Sequence, residues 1–143
     1  MTGYGIILVA LDLTEDAKTV LRQARRLCGP ESSSQLHLIH VAEHPVTGHG
    51  NVTSKNHRVG ELHLRQEIFP RLKALADDLD ADRLHIAFGD AAEEVNRLAD
   101  SLGANVIVTG SHGERGIRRL LGTTANSIAH HANCDVLTVR IAH

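Results

Sequence analysis

The chain alternates between short apolar runs and longer amphipathic stretches. Ile6-Ile7-Leu8-Val9-Ala10-Leu11 is continuously apolar. Brief runs of this kind, rich in β-branched residues, suit strands covered on both faces. Asp12 and Thr14 follow and can cap a helix, with Glu15 and Asp16 set against its positive end. That helix carries Ala17, Val20, Leu21, Ala24 and Leu27 on one stripe, and Gly29-Pro30 stops it.

A second strand is predicted over 36–41, with His37 and His40 among its apolar residues. The polar stretch 44–56, with Pro45, Gly48 and Gly50, has no periodicity and reads as a loop. A long helix follows over about 57–79, with Leu62, Leu64, Ile68, Leu72, Leu75, Ala76 and Leu79 as its apolar positions. Pro70 inside it predicts a kink or a split. The third strand is 84–88. Gly89 turns the chain, and Asp90 with Glu93 resembles a capping box. The next helix carries Ala91, Val95, Leu98, Ala99 and Leu102, and Gly103 closes it. A fourth strand covers 106–109. A glycine-bearing loop, a helix over about 123–131 and a last strand over 136–141 complete the chain.

Strict alternation of strand and helix predicts an α/β fold: one open, parallel, five-stranded sheet with helices on both faces. The 143 residues suit a single domain spanning 1–143. A chain of this size buries about two-thirds of its unfolded surface, so it needs no metal or disulfide to hold a core.

Aromatic residues are only Tyr4, Phe69 and Phe88, so the core is aliphatic and stacking platforms for single-stranded nucleic acid are missing. Fifteen basic and seventeen acidic residues give a net charge of −2, which argues against nucleic-acid binding. Cys28 and Cys134 form no CxxC unit and read as reduced, buried, small apolar residues. The first apolar run is too short for a signal peptide and has no charged segment before it. No stretch reaches membrane-spanning length, so a cytoplasmic protein with no membrane insertion is expected.

The chemistry concentrates in T-G-S-H-G-E-R-G-I-R-R-L-L-G-T-T-A-N-S, residues 109–127. Gly110 leaves a buried strand, and Gly122-Thr123 opens a helix. Ligands of open α/β sheets bind at the carboxyl ends of the strands, and phosphates seek amide N–H groups at a helix N-terminus. Glycines let backbone approach an anion closely. Thr123 and Thr124 add hydroxyls, and Arg115, Arg118 and Arg119 add positive charge. The segment is neither a Walker A loop, since it has no lysine, nor a dinucleotide fingerprint, since it does not follow the first strand. Equally, these glycines can serve only to turn the chain from strand to helix.

These segments together resemble the universal stress protein family. The resemblance runs from Ile6–Asp12 with Thr14, through L-I-H-V at 38–41 and Gly89-Asp90, to V-I-V-T-G-S-H-G at 106–113. G-T-T-A-N at 122–126 and C-D-V-L-T-V-R at 134–140 complete it. It implies a Rossmann-like fold of the adenine nucleotide alpha hydrolase kind, with strand order 3-2-1-4-5. It also implies a homodimer paired through the last strand, 136–141, and a role in stress response through an unidentified protein partner. The family's ATP-binding branch carries G-x2-G-x9-G-[ST]. Gly110, Gly113, Gly122 and Thr123 match it, although the spacer 114–121 is one residue short. His112 sits inside this loop and Thr124 at the helix start that follows it; His112 either shapes the loop or offers a polar contact to phosphate or to a bound metal's water. By the resemblance, Asp12 lies near ribose or adenine. Val41 would offer its backbone to adenine, and Ala10 stands where a proline is frequent in the family. ATP, with Mg²⁺ screening its phosphates, is the implied ligand.

Asp12 has a second reading as a helix cap, and the two roles can coexist. The eleven histidines show no HExxH or zinc-finger spacing and read as surface or loop residues. No GxSxG elbow, cysteine nucleophile or carboxylate dyad is present, so the chain is expected not to be an enzyme beyond slow incidental ATP hydrolysis. Ser111 beside His112 is discounted as a dyad, because neighbours on an extended loop point apart. The competing reading is an interaction module of the same fold whose glycine loop is vestigial.

Overall fold

The computed structural model describes residues 4–28, 35–43, 54–111 and 123–141. Its elements are β1 (Ile7–Ala10), α1 (Asp16–Leu27), β2 (Leu36–Ala42), α2 (Ser54–Leu75), β3 (Leu84–Phe88), α3 (Ala91–Leu102), β4 (Val106–Gly110), α4 (Thr123–His131) and β5 (Asp135–Val139). A 3-10 turn, Ala81–Arg83, leads into β3. All strand pairs are parallel, in the order β3-β2-β1-β4-β5. This is the expected architecture and strand order.

Alternation along the strands divides the core into two layers. Ile7, Val9, Leu36, Leu38, Val106 and Val108 point to one face, where Ala17, Val20, Leu21 and Ala24 of α1 cover them with Ala76 and Leu79. Leu8, Ile39 and Ile107 point to the other, against Ala92, Val95 and Ala99 of α3 and Ile128 of α4. The central strands β1 and β4 are buried on both faces, which is why their sequence is apolar at every position rather than at every second one.

Helix α2 departs from the sequence expectation in three ways. It begins at Ser54 and ends at Leu75, earlier at both ends than 57–79. Pro70 neither splits nor ends it. The proline and Gln66, whose carbonyl loses its helical partner, are both exposed, so that carbonyl is not sealed in the core. Of the seven apolar positions expected, Ile68, Leu72, Ala76 and Leu79 are buried, whereas Leu62 is 57% exposed. Lys73 closes the helix end, its ammonium donating to the carbonyls of Asp77 and Leu79.

Helix α3 is capped as expected at both ends. The Asp90 carboxylate accepts the Glu93 N–H at 3.0 Å, and Gly103 takes a left-handed conformation, φ 70°. The side-chain amide of Asn133 reaches Asp100, fastening the α4–β5 connection to α3. Tyr4 donates its phenol to Asp135 at 2.9 Å, tying the start of the described chain to the edge strand β5. Cys28 and Cys134 are free and half-buried, more open than the sequence implied, because Cys28 follows the end of α1 and Cys134 precedes β5, both at the margin of the core. Burial raises both thiols above the usual range, so neither is an activated nucleophile. Among the described residues, no helix is long and apolar enough to cross a membrane.

Candidate functional site

The strand order fixes where a ligand can enter. From β1 the chain winds outward to β2 and β3, then returns past β1 to β4 and outward again to β5. The crevice of such a sheet opens between β1 and β4, at their carboxyl ends. The two strands are in register from Ile7↔Val106 to Val9↔Val108, so Ala10-Leu11-Asp12 and Thr109-Gly110-Ser111 leave the sheet side by side.

The turn after β1 is fastened from three directions. The Leu11 N–H donates to the Ile39 carbonyl at 2.9 Å, the last rung between β1 and β2. The Leu11 carbonyl accepts a 2.9 Å bond from His40 Nδ1, so the neutral His40 ring carries its hydrogen on Nδ1. The Leu13 carbonyl accepts from Arg71 of α2 at 2.9 Å. Within the turn, Asp12 Oδ1 accepts the Thr14 hydroxyl at 2.7 Å and the Thr14 N–H at 3.3 Å. Thr14 Oγ1 in turn accepts the Asp16 N–H at 3.2 Å. Asp12 thus organises the start of α1 through Thr14, which is the capping reading. It commits only Oδ1 to these bonds and is half-buried, so the reading that places it near a ligand stays open.

Val41 is half-buried on β2, two residues beyond the last rung to β1. Ile39 presents its carbonyl to β1, and Ala42 presents its own to Gly89 after β3. By strand alternation the N–H and carbonyl of Val41 lie on the β1 side, where β1 has already turned away. Those peptide groups therefore face the crevice. Ala10, half-buried, ends β1 on the α3 side of the sheet.

On the β4 side, Thr109 is buried and Gly110 half-buried. Ser111 is bound to β5 twice: its N–H donates to the Val139 carbonyl at 2.9 Å, and its hydroxyl oxygen accepts the Ile141 N–H at 3.0 Å. These bonds set the direction in which the chain leaves β4, and they give Ser111 a structural role. His112, Gly113 and Gly122 lie outside the described residues, as do Arg115, Arg118 and Arg119. Thr123 opens α4, Thr124 is exposed on its first turn, and Ala125 and Ile128 anchor the helix to the sheet.

The structure therefore brings Ala10, Asp12, Val41 and Gly110 to the same edge of the sheet. Sequence reasoning missed His40 and Arg71. Both act through backbone carbonyls of a distant turn, and such contacts leave no local spacing to read. Among the described residues no group of three or more metal-ligating side chains occurs.

Comparison with known proteins gives a consistent outcome. The family model described as "Universal stress protein family" matches residues 3–140. The chain is 35% identical over 144 residues to universal stress protein A homolog 2 of Coxiella burnetii, covering 99% of this chain and 98% of that one. Among solved structures it resembles universal stress protein UspA from Lactobacillus plantarum, with a TM-score of 0.67 at 21% identity, covering 98% of this chain and 100% of the other. It also resembles a universal stress protein solved in complex with cAMP, with a TM-score of 0.57 at 21% identity, covering 96% of this chain and 98% of the other.

Proposed function

The chain belongs to the universal stress protein family, and from that footing we propose that it binds ATP or a related adenine nucleotide at the carboxyl ends of β1, β2 and β4. The observation that carries this reading is the opening of the β1–β4 crevice. Asp12, the peptide groups of Val41 and the departing Gly110 come together at this end of the sheet, with α4 following. The base and sugar end fits these residues: Val41 offers a donor and an acceptor in one plane, and Asp12 offers a carboxylate oxygen for a ribose hydroxyl. Gly110, Gly113, Gly122, Thr123 and Thr124, with His112, are the sequence's phosphate holders. They act by amide and hydroxyl donation toward an anion, and Mg²⁺ screens the phosphate charge. A relative of the same fold is described in complex with cAMP, which supports an adenine nucleotide as the ligand class.

Occupancy of this site would be coupled to partner binding or to the state of a homodimer paired through β5. Turnover of ATP is at most slow and incidental, and the site works as a sensor rather than as an enzyme.

Thermal melting with and without Mg-ATP tests the reading. A ligand that binds only the folded chain at about a hundred times its Kd adds about 2.7 kcal/mol. For a chain of this length that raises the midpoint by roughly 5–10 °C. Gly113→Val should abolish the rise and leave the melt without nucleotide nearly unchanged. No rise at millimolar ATP, ADP or cAMP would favour the nucleotide-independent interaction module.

A further inference from the structure

Two imidazoles meet between β2 and β3, to one side of the β1–β4 crevice. His37 is the second residue of β2, and His85 is the second residue of β3. Strand alternation puts His37 on the same face as Ile39, whose Cα partner is His85. His37 Nδ1 lies 3.0 Å from His85 Nε2. The ring centres are 5.2 Å apart and the planes differ by 26°. That separation is about what the N···N contact plus one ring radius at each end adds up to. The line joining the nitrogens therefore runs through both rings, and the lone pair of one is aimed at the N–H of the other. Two histidines sharing a metal would instead aim both lone pairs at a common point about 2.0–2.1 Å from each. The contact is an aligned N–H···N hydrogen bond.

Such a bond has a defined capacity for protons. In the neutral pair one ring donates and the other accepts, and the donating ring keeps a lone pair on its outer nitrogen. The first added proton goes to that outer nitrogen. The bond survives and becomes charge-assisted. The second must take the accepting lone pair, which sets two N–H groups of like charge against each other, and the bond cannot persist.

We propose that His37 and His85 form a proton-operated latch, fastening the edge strand β3 to β2 until both rings are charged. The location gives the latch leverage. β3 is paired on one side only, so the cross-strand contact supplements a single ladder. The surroundings oppose charging. Burial holds both rings below the ordinary imidazole range; His37 is pushed further by His85 and Arg83, while Asp82 pulls both the other way. Arg83, whose Nη1 is buried with no hydrogen-bond partner among the described groups, adds positive charge beside the pair. On this face α3 contributes Ala92, Val95, Leu98, Ala99 and Leu102, all uncharged.

The sign follows from linkage. An imidazole whose folded pKa is depressed takes up its proton on unfolding. The stability it supports is complete above the unfolded value, about 6.5, and is lost as pH falls through the depressed folded values.

The test compares the native chain with H37N/H85Q, in which the amide N–H of one residue can meet the amide carbonyl oxygen of the other at the places of Nδ1 and Nε2, a bond that does not titrate. Backbone hydrogen exchange, corrected for intrinsic rate, is followed at residues 85–88 and at the β1 residues 7–10 between pH 7.5 and 5. We expect protection of 85–88, relative to β1, to fall about tenfold per proton per pH unit in the native chain, and to change less than about twofold in the variant. Imidazole ¹⁵N titration of the native chain is an independent arm that needs no variant. The two rings should titrate in two steps more than about one pH unit apart. Equal loss of protection in both chains, or two rings titrating independently at one pH, overturns the proposal.

Discussion

At the residue scale, Thr14 shows how little of a side chain's work is visible beforehand. Its hydroxyl donates to Asp12 and accepts from Asp16, so one atom joins the strand end to the helix start. Thr14→Ala should cost about 1 kcal/mol, as lost caps do, and lower the melting midpoint by about 2–4 °C. Denaturant unfolding would measure it directly. The pairing of Asp12 with Thr14 was legible because cap residues sit at fixed offsets from the helix they begin. The carbonyl contacts of His40 and Arg71 were not, since each spans a gap that only the folded chain closes. The forked contact of Arg25 on Asp78 is a similar long-range pairing. The guanidinium holds the Asp78 carboxyl below its usual range. Its contribution is present above about pH 4 and lost as pH falls further. Both groups are more than a third exposed, which limits the contribution to at most about 1 kcal/mol. Asp78→Asn should flatten the acid limb of the stability–pH curve by no more than that.

At the element scale, β1 and β4 were the most legible elements, because apolar runs buried on two faces leave no polar position to mislead. The buried stripe of α2 was only half legible. An exposed leucine and a core leucine look alike in sequence, and Leu62 was assigned inward although it is exposed, whereas 68, 72, 76 and 79 are buried and Leu75 packs against the core. Burial also ranks the positions by cost: Ile128, fully buried where α4 meets the second layer, should lose about 2–5 kcal/mol on truncation to alanine. The last strand has the opposite character. β5 is an edge, and Leu137 on it is 38% exposed. Bare edges invite pairing, and charge on them prevents it. If the homodimer is built on this strand, Leu137→Lys should give a monomer in sedimentation velocity with its circular dichroism unchanged. A dimer that persists would move the interface elsewhere.

At the scale of the whole molecule, one topological fact organises the rest. The reversal of winding between β1 and β4 puts Gly110, at the end of β4, beside the turn that holds the aspartate of the first dozen residues. No local pattern reports that proximity; strict β–α alternation implies a sheet, and the order 3-2-1-4-5 came from likeness to a family. The same order leaves β3 and β5 as two free margins of differing character, one latched by paired histidines and one tied by Tyr4 to Asp135. That last contact has a practical consequence. Tyr4 is the sole tyrosine in a chain without tryptophan, so beyond the faint emission of Phe69 and Phe88 the protein carries one intrinsic fluorophore. Its excited state is sensitive to the carboxylate that accepts its proton. Unlabelled ultraviolet emission therefore reports on a single margin of the sheet, and dilution through a dissociating assembly should register as a change in brightness.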